Sequence, residues 1–315
     1  MPNSEILNEF ISGSVSSKSL FIGNGKNRWE KVINGSDQYN NPSNAYSSTL
    51  HKVLYSISEN IKKRSLIDVC ILGCAGLEKE IQIVQKLGSI YNVNLILVDY
   101  SYELINKAKN EVDFSSMNST KFLHIDFYSD DFHSFLVKNR TDNVPYLFLL
   151  LGFTIGNYDF KRTINWLEDI TETGDYLWCD FIVQSDQKDQ STKAIKERTL
   201  AFNESSVELM EFIKGPLKEL KIPSHTGFLD FDIIFEVYQE KQLRKVEYYY
   251  RFCDKYVLKN GKETTFNKGD KVKLLSIYHF IWSDVLDVFG KIKLRSITSN
   301  KVGNLDYLQS LFLRE

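Results

Sequence analysis

Four short stretches hold the residue types that can do chemistry. The first is ILGCAGLEKEIQIV, residues 71–84, where Gly73-Cys74-Ala75-Gly76 makes a small-residue turn between an apolar run and an amphipathic segment. Missing side-chain bulk lets a ligand approach the backbone, and the helix that follows offers free N–H donors at its N-terminus. The second is Asp99-Tyr100, with Asp99 lying 26 residues past Gly73. A carboxylate there can accept two hydrogen bonds from a ribose diol, as it does in dinucleotide and S-adenosylmethionine sites. The stretch from Gly73 to Glu78 reads GCAGLE, so the GxGxxG fingerprint of dinucleotide enzymes is missing. The looser G-x-x-G favours S-adenosylmethionine, which has no pyrophosphate to cradle. Third, Asp126-Phe127 offers an acceptor and an aromatic where an adenine ring would lie, the bland alternative for Asp126 being a helix N-cap. Fourth, LLLGFTIGNYD, residues 149–159, places Gly152, Thr154, Gly156 and Asn157 where a reacting methyl group would sit.

These stretches need a scaffold, and the apolar pattern describes one. The runs LIDVCILG (66–73), NLILVD (94–99), KFLHID (121–126), PYLFLLLG (145–152) and DYLWCDFIV (175–183) are each one strand long, and each gap holds one helix. Continuous apolar strands spaced this way imply βαβ crossovers and an α/β fold with a mostly parallel sheet, which binds ligands at the strands' carboxyl ends. After residue 185 the rhythm breaks. Residues 188–220 read as polar helices, and 228–280 as β-hairpins with a turn signal KNGKE at 259–263. Within that region Tyr248, Tyr249 and Tyr250 alternate faces, which favours packing over a site. A short helix at 282–289 and two closely spaced strands, 291–299 and 305–313, then form an antiparallel hairpin that closes the sheet. Residues 1–60, rich in Asn, Ser and Gly over most of their length, read as a helical wrap with helices at 4–11 and around 29–33 and an amphipathic helix at 48–62. The expected organisation is 1–60, a cofactor-binding core at 61–190, an inserted β-rich domain at 191–280 and a C-terminal return to the sheet at 281–315.

Composition narrows the partner. The chain has 315 residues, 43% of them hydrophobic, with 39 basic and 41 acidic residues for a net charge of −2. That is enough apolar surface for a large core, and it carries no basic excess of the kind nucleic-acid or membrane-surface binders use. The expected partner is a small molecule, with the protein a monomer or homodimer. Four cysteines without a CxxC pair suit reduced thiols and a cytoplasmic location. The N-terminus lacks the pattern of a signal peptide, and the longest apolar run, 146–153, is too short to cross a membrane. The five histidines show no HxxxH pairing and no Cys neighbour at ligand spacing, so no metal is expected, and no GxSxG elbow occurs.

The segment Gly152-Phe153-Thr154-Ile155-Gly156-Asn157 resembles the G-x-T-I-G-N of the histidine-specific S-adenosylmethionine-dependent methyltransferases of ergothioneine biosynthesis and their relatives. Asp126-Phe127 matches that family's D-F step, Gly73 and Asp99 match its glycine motif and ribose acid, and RTLAFNES (198–205) is similar to its A-Y-N helix. The resemblance implies a class I methyltransferase with a Rossmann-like core and an inserted β-rich substrate domain. It further implies S-adenosyl-L-methionine as cofactor, held by Gly73, Cys74, Ala75, Gly76, Asp99, Tyr100, Asp126, Phe127 and Gly152. In the relatives Asn157 holds the amino-acid end of the substrate, so Asn157 and Thr154 are expected to position the acceptor, with Tyr39 or Tyr46 relaying its proton. Two departures bear on the substrate. Phe202 stands where the relatives have a helix tyrosine, and Leu275 and Ile277 stand where E-V-S-C-K-F places the Glu and Ser that grip an imidazole. The implied activity is therefore methylation of a nitrogen on an amino acid or amino-acid-derived metabolite other than histidine. Oxygen or carbon methylation of an apolar or aromatic acceptor, and a non-catalytic cofactor-binding protein, are the alternatives.

Overall fold

The computed structural model describes residues 4–35, 42–62, 65–74, 78–152, 154–183, 191–260, 262–301 and 307–315. The chain forms two compact units, one of residues 40–185 and 280–315, the other of 1–39 and 186–279.

The first unit is built on a seven-stranded sheet. Five strands, β1 Leu66–Leu72, β2 Asn92–Asp99, β3 Ser119–His124, β4 Tyr146–Leu150 and β5 Tyr176–Ile182, run parallel. The C-terminal strands β11 (Leu294–Lys301) and β12 (Tyr307–Arg314) are antiparallel to each other, and β12 pairs antiparallel with β5. The order is β11-β12-β5-β4-β1-β2-β3, the mostly parallel sheet with an antiparallel closing hairpin expected of a class I methyltransferase. β4 is buried at every residue, whereas edge strand β3 has only exposed and half-buried positions. This difference follows from helices covering both faces of a central strand. Strand reversal at β4, beside β1, opens the crevice at the carboxyl ends where such sheets bind ligands.

Helix caps set the length of the loops along that crevice. After β1 the chain re-enters helix as α4 (Glu78–Gly88). Ser101 caps α5 (Tyr102–Glu111) by accepting the Leu104 N–H at 3.3 Å, and Ser129 caps α6 (Asp130–Asn139) through Phe132 at 3.3 Å. Asp159 caps α7 (Phe160–Ile170) through Arg162 at 2.8 Å. Each cap satisfies an otherwise orphaned helix donor and so stops the helix within a few residues of the strand. The unit also contains α3 (Pro42–Ser58) and α11 (Trp282–Lys291). The chain re-enters the sheet unit at Phe280, whose N–H donates to the Ile182 carbonyl at 2.8 Å.

The second unit is centred on a three-stranded antiparallel sheet in the order β10-β7-β6, with β6 Gly227–Tyr238, β7 Lys241–Phe252 and β10 Lys271–His279. A separate hairpin, β8 Tyr256–Asn260 and β9 Lys262–Phe266, coincides with the KNGKE signal. One sheet face is apolar: Phe231, Tyr248, Tyr250 and Leu275 pack with Ile6 and Phe10 of α1 (Ser4–Ile11), Val32 of α2 (Gly25–Gly35), and Leu209, Phe212 and Ile213 of α9 (Val207–Ile213). The segment read as polar helices, here α8 Thr192–Ser205, α9 and α10 Gly215–Glu219, therefore carries a buried stripe on α9. The opposite face is charged. There Lys245 pairs with both Glu236 and Glu247, Arg251 with Asp230, and Lys271 with Asp232. Residues 1–60 fall in two units, because Ile6, Phe10 and Val32 join this core whereas α3 belongs with the sheet of the first.

Candidate active site

Three strand ends of the first unit converge on Asp99. Gly73, at φ 93°, turns the chain out of β1, and its N–H donates to the Val98 carbonyl at 2.8 Å, tying the turn to β2. The next N–H, from Cys74, donates to Asp99 Oδ2 at 2.5 Å, and Ser101 N–H donates to Asp99 Oδ1 at 2.6 Å. Each carboxylate oxygen retains lone-pair capacity for one ribose hydroxyl. A Cβ at Gly73 would meet no atom of the described residues within 4 Å, which leaves room for a ligand on this side of the turn. Asp99 is only 7% exposed. Burial pushes its carboxyl up to about 6, against the opposing pull of the two N–H bonds and of His124. The Cys74 thiol is buried and held well above its ordinary value by burial first and Asp99 next, so this residue contributes its backbone donor rather than a nucleophile. Tyr100 anchors the loop by accepting the His124 Nε2–H at 2.9 Å on its carbonyl.

Asp126 lies beyond the end of β3, in the loop that leads to α6. Its Oδ1 accepts the Tyr128 N–H at 2.9 Å, and its carbonyl accepts from Ser129. Ser129, not Asp126, is the helix cap. Phe127 is 5% exposed, with its ring packed against Tyr128, Tyr158 and Trp166 at centroid distances of 4.9, 5.7 and 5.5 Å. The aromatic expected beside an adenine thus packs its ring among other aromatic rings of the protein.

After β4, Gly152 adopts φ 75° and donates its N–H to Asp180 Oδ2 at 2.8 Å. The Thr154 hydroxyl donates to the Leu151 carbonyl at 2.8 Å, and Asn157 N–H donates to the Thr154 carbonyl at 3.1 Å. Thr154 therefore spends its proton shaping the turn, while the half-buried Asn157 carries an amide at its end. The charged residues entering α4 escaped the sequence reading, which treated them as an ordinary helix start. Lys79 Nζ would lie 3.1 Å from a Cβ on Gly152, and it sits 3.6 Å from Glu80 Oε1. Glu80, 3% exposed, is pushed up to about 7 by burial, with Lys79 opposing and Asp180 adding to the rise. Three charged residues in succession after a glycine turn, Glu78, Lys79 and Glu80, the last on the buried side of an amphipathic helix, are the signal that was available.

Three of the other expected residues belong to the second unit. Leu275 is a member of the second unit's apolar core and pairs across the sheet with Tyr248, while Ile277, opposite Val246, and Phe202 pack against that same core. Asn203, next to Phe202, accepts the Tyr248 hydroxyl at 2.9 Å. Tyr39, Ala75 and Gly76 lie outside the described residues, as does the side chain of Tyr46, whose backbone is part of α3. Among the described residues no cluster of three or more His, Cys, Asp or Glu could hold a metal ion, and no helix is long and apolar enough to cross a membrane.

A mostly parallel seven-stranded sheet with an open glycine turn at β1 and an acid with spare lone pairs at β2 defines a class I S-adenosylmethionine-dependent methyltransferase, an enzyme. Residues 4–310 match the family of histidine-specific, S-adenosylmethionine-dependent methyltransferases, and the chain belongs to that family. Solved structures with similarity include magnesium protoporphyrin IX methyltransferase from Synechocystis PCC 6803, at 10% identity and TM-score 0.48 over 95% of this chain and 97% of that one. An S-adenosylmethionine-dependent methyltransferase from Clostridium acetobutylicum matches at 11% identity and TM-score 0.43, over 90% of this chain and 95% of that one. A 1,6-didemethyltoxoflavin-N1-methyltransferase from Burkholderia thailandensis matches at 8% identity and TM-score 0.43, over 94% and 86%. No curated protein sequence matches the chain.

Proposed function

We propose that this methyltransferase methylates a nitrogen of a small amino acid or amino-acid-derived metabolite other than histidine. The observation that carries the reading is the chemistry of β10. Leu275 and Ile277, at the positions that resemble the imidazole grip of the relatives, are apolar and belong to or pack against a hydrophobic core. An imidazole N–H left without a partner in a buried site loses about 1 to 3 kcal/mol, so histidine is a poor fit.

S-adenosylmethionine, when bound, supplies a methyl group on a sulfonium that is already a good leaving group. The protein's own part is orientation. Asp99 takes the ribose diol, and Lys79 brings a cation to the Gly152 turn, suited to pairing with the carboxylate of the cofactor's methionine portion. Asn157 holds the amino-acid end of the acceptor through its amide. In-line displacement needs the two reacting atoms aligned and the amine unprotonated, so placement contributes more than a strong base.

The test is S-adenosylhomocysteine release from purified protein supplied with S-adenosylmethionine and a panel of amino acids, their amine derivatives and histidine. Turnover on a non-histidine amine supports the reading. Robust methylation of histidine refutes it, and turnover confined to hydroxylated or carbon acceptors moves the reaction away from nitrogen.

A further inference from the structure

The loop after β4 ends on a residue that neither the motif nor the family match assigns. Tyr158 stands between Asn157, held by the turn at Thr154, and Asp159, which caps α7, so its backbone is fixed from both sides. Its ring meets Phe127 edge-on at 5.7 Å and 67°, and lies tilted on Tyr128 at 4.6 Å and 45°. Those two rings are themselves closed off. Phe127 and Tyr128 are buried, Trp166 covers Tyr128 at 4.6 Å, and the Tyr128 hydroxyl is engaged with Thr163 Oγ1 at 2.8 Å. Tyr158 alone of the three is half-buried.

Its surroundings place it further. The Tyr158 phenol feels the carboxylates of Asp126 and Asp99 and the guanidinium of Arg162. Asp99 ends β2, Asp126 lies in the loop after β3, and Tyr158 lies in the loop after β4. A ring carried by the loop after β4 and set against Phe127 in the loop after β3 stands at the carboxyl ends of the strands, where a ribose and its base would bind. Burial, followed by Tyr128 and the two carboxylates, keeps the phenol protonated, so its hydroxyl remains a hydrogen-bond donor.

Resting on the cofactor reading of Asp99, we propose that Tyr158, and not Phe127, supplies the aromatic wall of the adenosine subsite. Phe127 and Tyr128 back that wall and hold the Tyr158 ring in place. Such a contact is worth about a tenfold change in affinity for a nucleoside, within the range seen when base–aromatic stacking is removed.

Calorimetric titration of Tyr158→Leu, Tyr158→Phe and Asp99→Ala with S-adenosylhomocysteine and with adenosine tests the proposal. Tyr158→Leu is expected to weaken both ligands by about tenfold, and Tyr158→Phe by about threefold or less, because the ring is kept. A measurement that needs no folded Leu variant is fluorine NMR of wild-type protein labelled with 3-fluorotyrosine. There the resonance missing from Tyr158→Phe should shift when adenosine is added. Wild-type affinity in a folded Tyr158→Leu, or a Tyr158 resonance unmoved at saturating adenosine, overturns the proposal if Asp99→Ala has lost binding. Unchanged binding in Asp99→Ala would instead remove the cofactor reading itself.

Discussion

Asp99 should make stability and cofactor affinity respond to pH in opposite directions. The perturbation is Asp99→Asn, which removes the titration while keeping the side chain's shape. In the folded protein the carboxyl is raised to about 6 from its ordinary 3.8, because burial outweighs the two backbone N–H bonds. A raised carboxyl holds its proton more tightly when folded. Its contribution to stability is therefore full below 3.8 and is lost as pH rises through about 6. Between pH 5 and pH 7.5 wild type should lose about 1.4 kcal/mol of unfolding free energy relative to Asp99→Asn. Cofactor affinity should run the other way, since a ribose diol donates to the ionised form. About a tenth of the apo protein is ionised there at pH 5, so S-adenosylhomocysteine should bind about tenfold more tightly at pH 7.5. Urea unfolding of both proteins and calorimetric titration of wild type at the two pH values supply the numbers. A stability difference that is flat with pH, or grows in favour of wild type as pH rises, would refute the reasoning by showing that the N–H bonds to Cys74 and Ser101 outweigh desolvation.

Three further outcomes follow from the same physics. Glu80→Gln should be more stable relative to wild type at pH 8 than at pH 5 by about 2.5 kcal/mol in urea unfolding, because burial raises Glu80 from 4.5 to about 7 and ionising it there is costly. Asp175 is fully buried at the amino ends of the strands and accepts from Arg140 at 2.9 and 3.1 Å, Tyr146 N–H at 2.8 Å and Glu172 N–H at 2.8 Å. Asp175→Ala should lower unfolding free energy by about 3 to 5 kcal/mol while leaving S-adenosylhomocysteine affinity of the folded protein unchanged. Gly152→Ala should cost about 1 to 2 kcal/mol for its positive φ, and should weaken S-adenosylhomocysteine binding in calorimetry by displacing the Lys79 ammonium that lies 3.1 Å from the new Cβ.

The central strands were legible because burial on both faces leaves an uninterrupted apolar run, as in the YLFLL of β4. Asp99 stood out as a candidate ribose acid because a carboxylate directly after such a run has few structural uses. What the sequence did not convey were features that depend on neighbours distant along the chain. Which ring near Asp126 is covered is decided by Trp166, some 40 residues on, and no local pattern in D-F-Y conveys it. In β10 the register against β7 shifts between Lys273 and Leu275, so Leu274 and Leu275 are both buried and strict alternation gives no guide to which face the second occupies. The β6–β7 turn uses Gln239 and Glu240, both at positive φ, where a hairpin of this kind ordinarily announces itself with Asn-Gly or Asp-Gly. The polar first segment concealed a partner 260 residues away: Val15 N–H donates to the Lys273 carbonyl at 2.7 Å and Lys273 N–H to the Gly13 carbonyl at 2.9 Å.

Two raised carboxyls, Asp99 and Glu80, stand along the carboxyl ends of the strands, whereas a third, Asp68, lies in β1 toward the amino ends, so at the carboxyl ends the cost of burying charge rests on the first two. At neutral pH that cost is present in the apo protein and, for Asp99, is opposed in part by the Cys74 and Ser101 N–H bonds and by His124. On the proposed role of Asp99, ribose hydroxyls would bring two further donors, and the same contacts that bind the cofactor would relieve the buried charge. Ligand linkage then requires the cofactor to stabilise the fold by an amount that grows with its affinity. If that affinity rises about tenfold between pH 5 and pH 7.5, then S-adenosylhomocysteine at a fixed concentration, in excess of Kd at both pH values, should raise unfolding free energy by about 1.4 kcal/mol more at pH 7.5. Melting wild type with and without ligand at both pH values reads this directly. In Asp99→Asn the increment should be the same at the two pH values, and an increment that persisted in that variant would place the linked proton on another group, Glu80 being the one with the matching pKa.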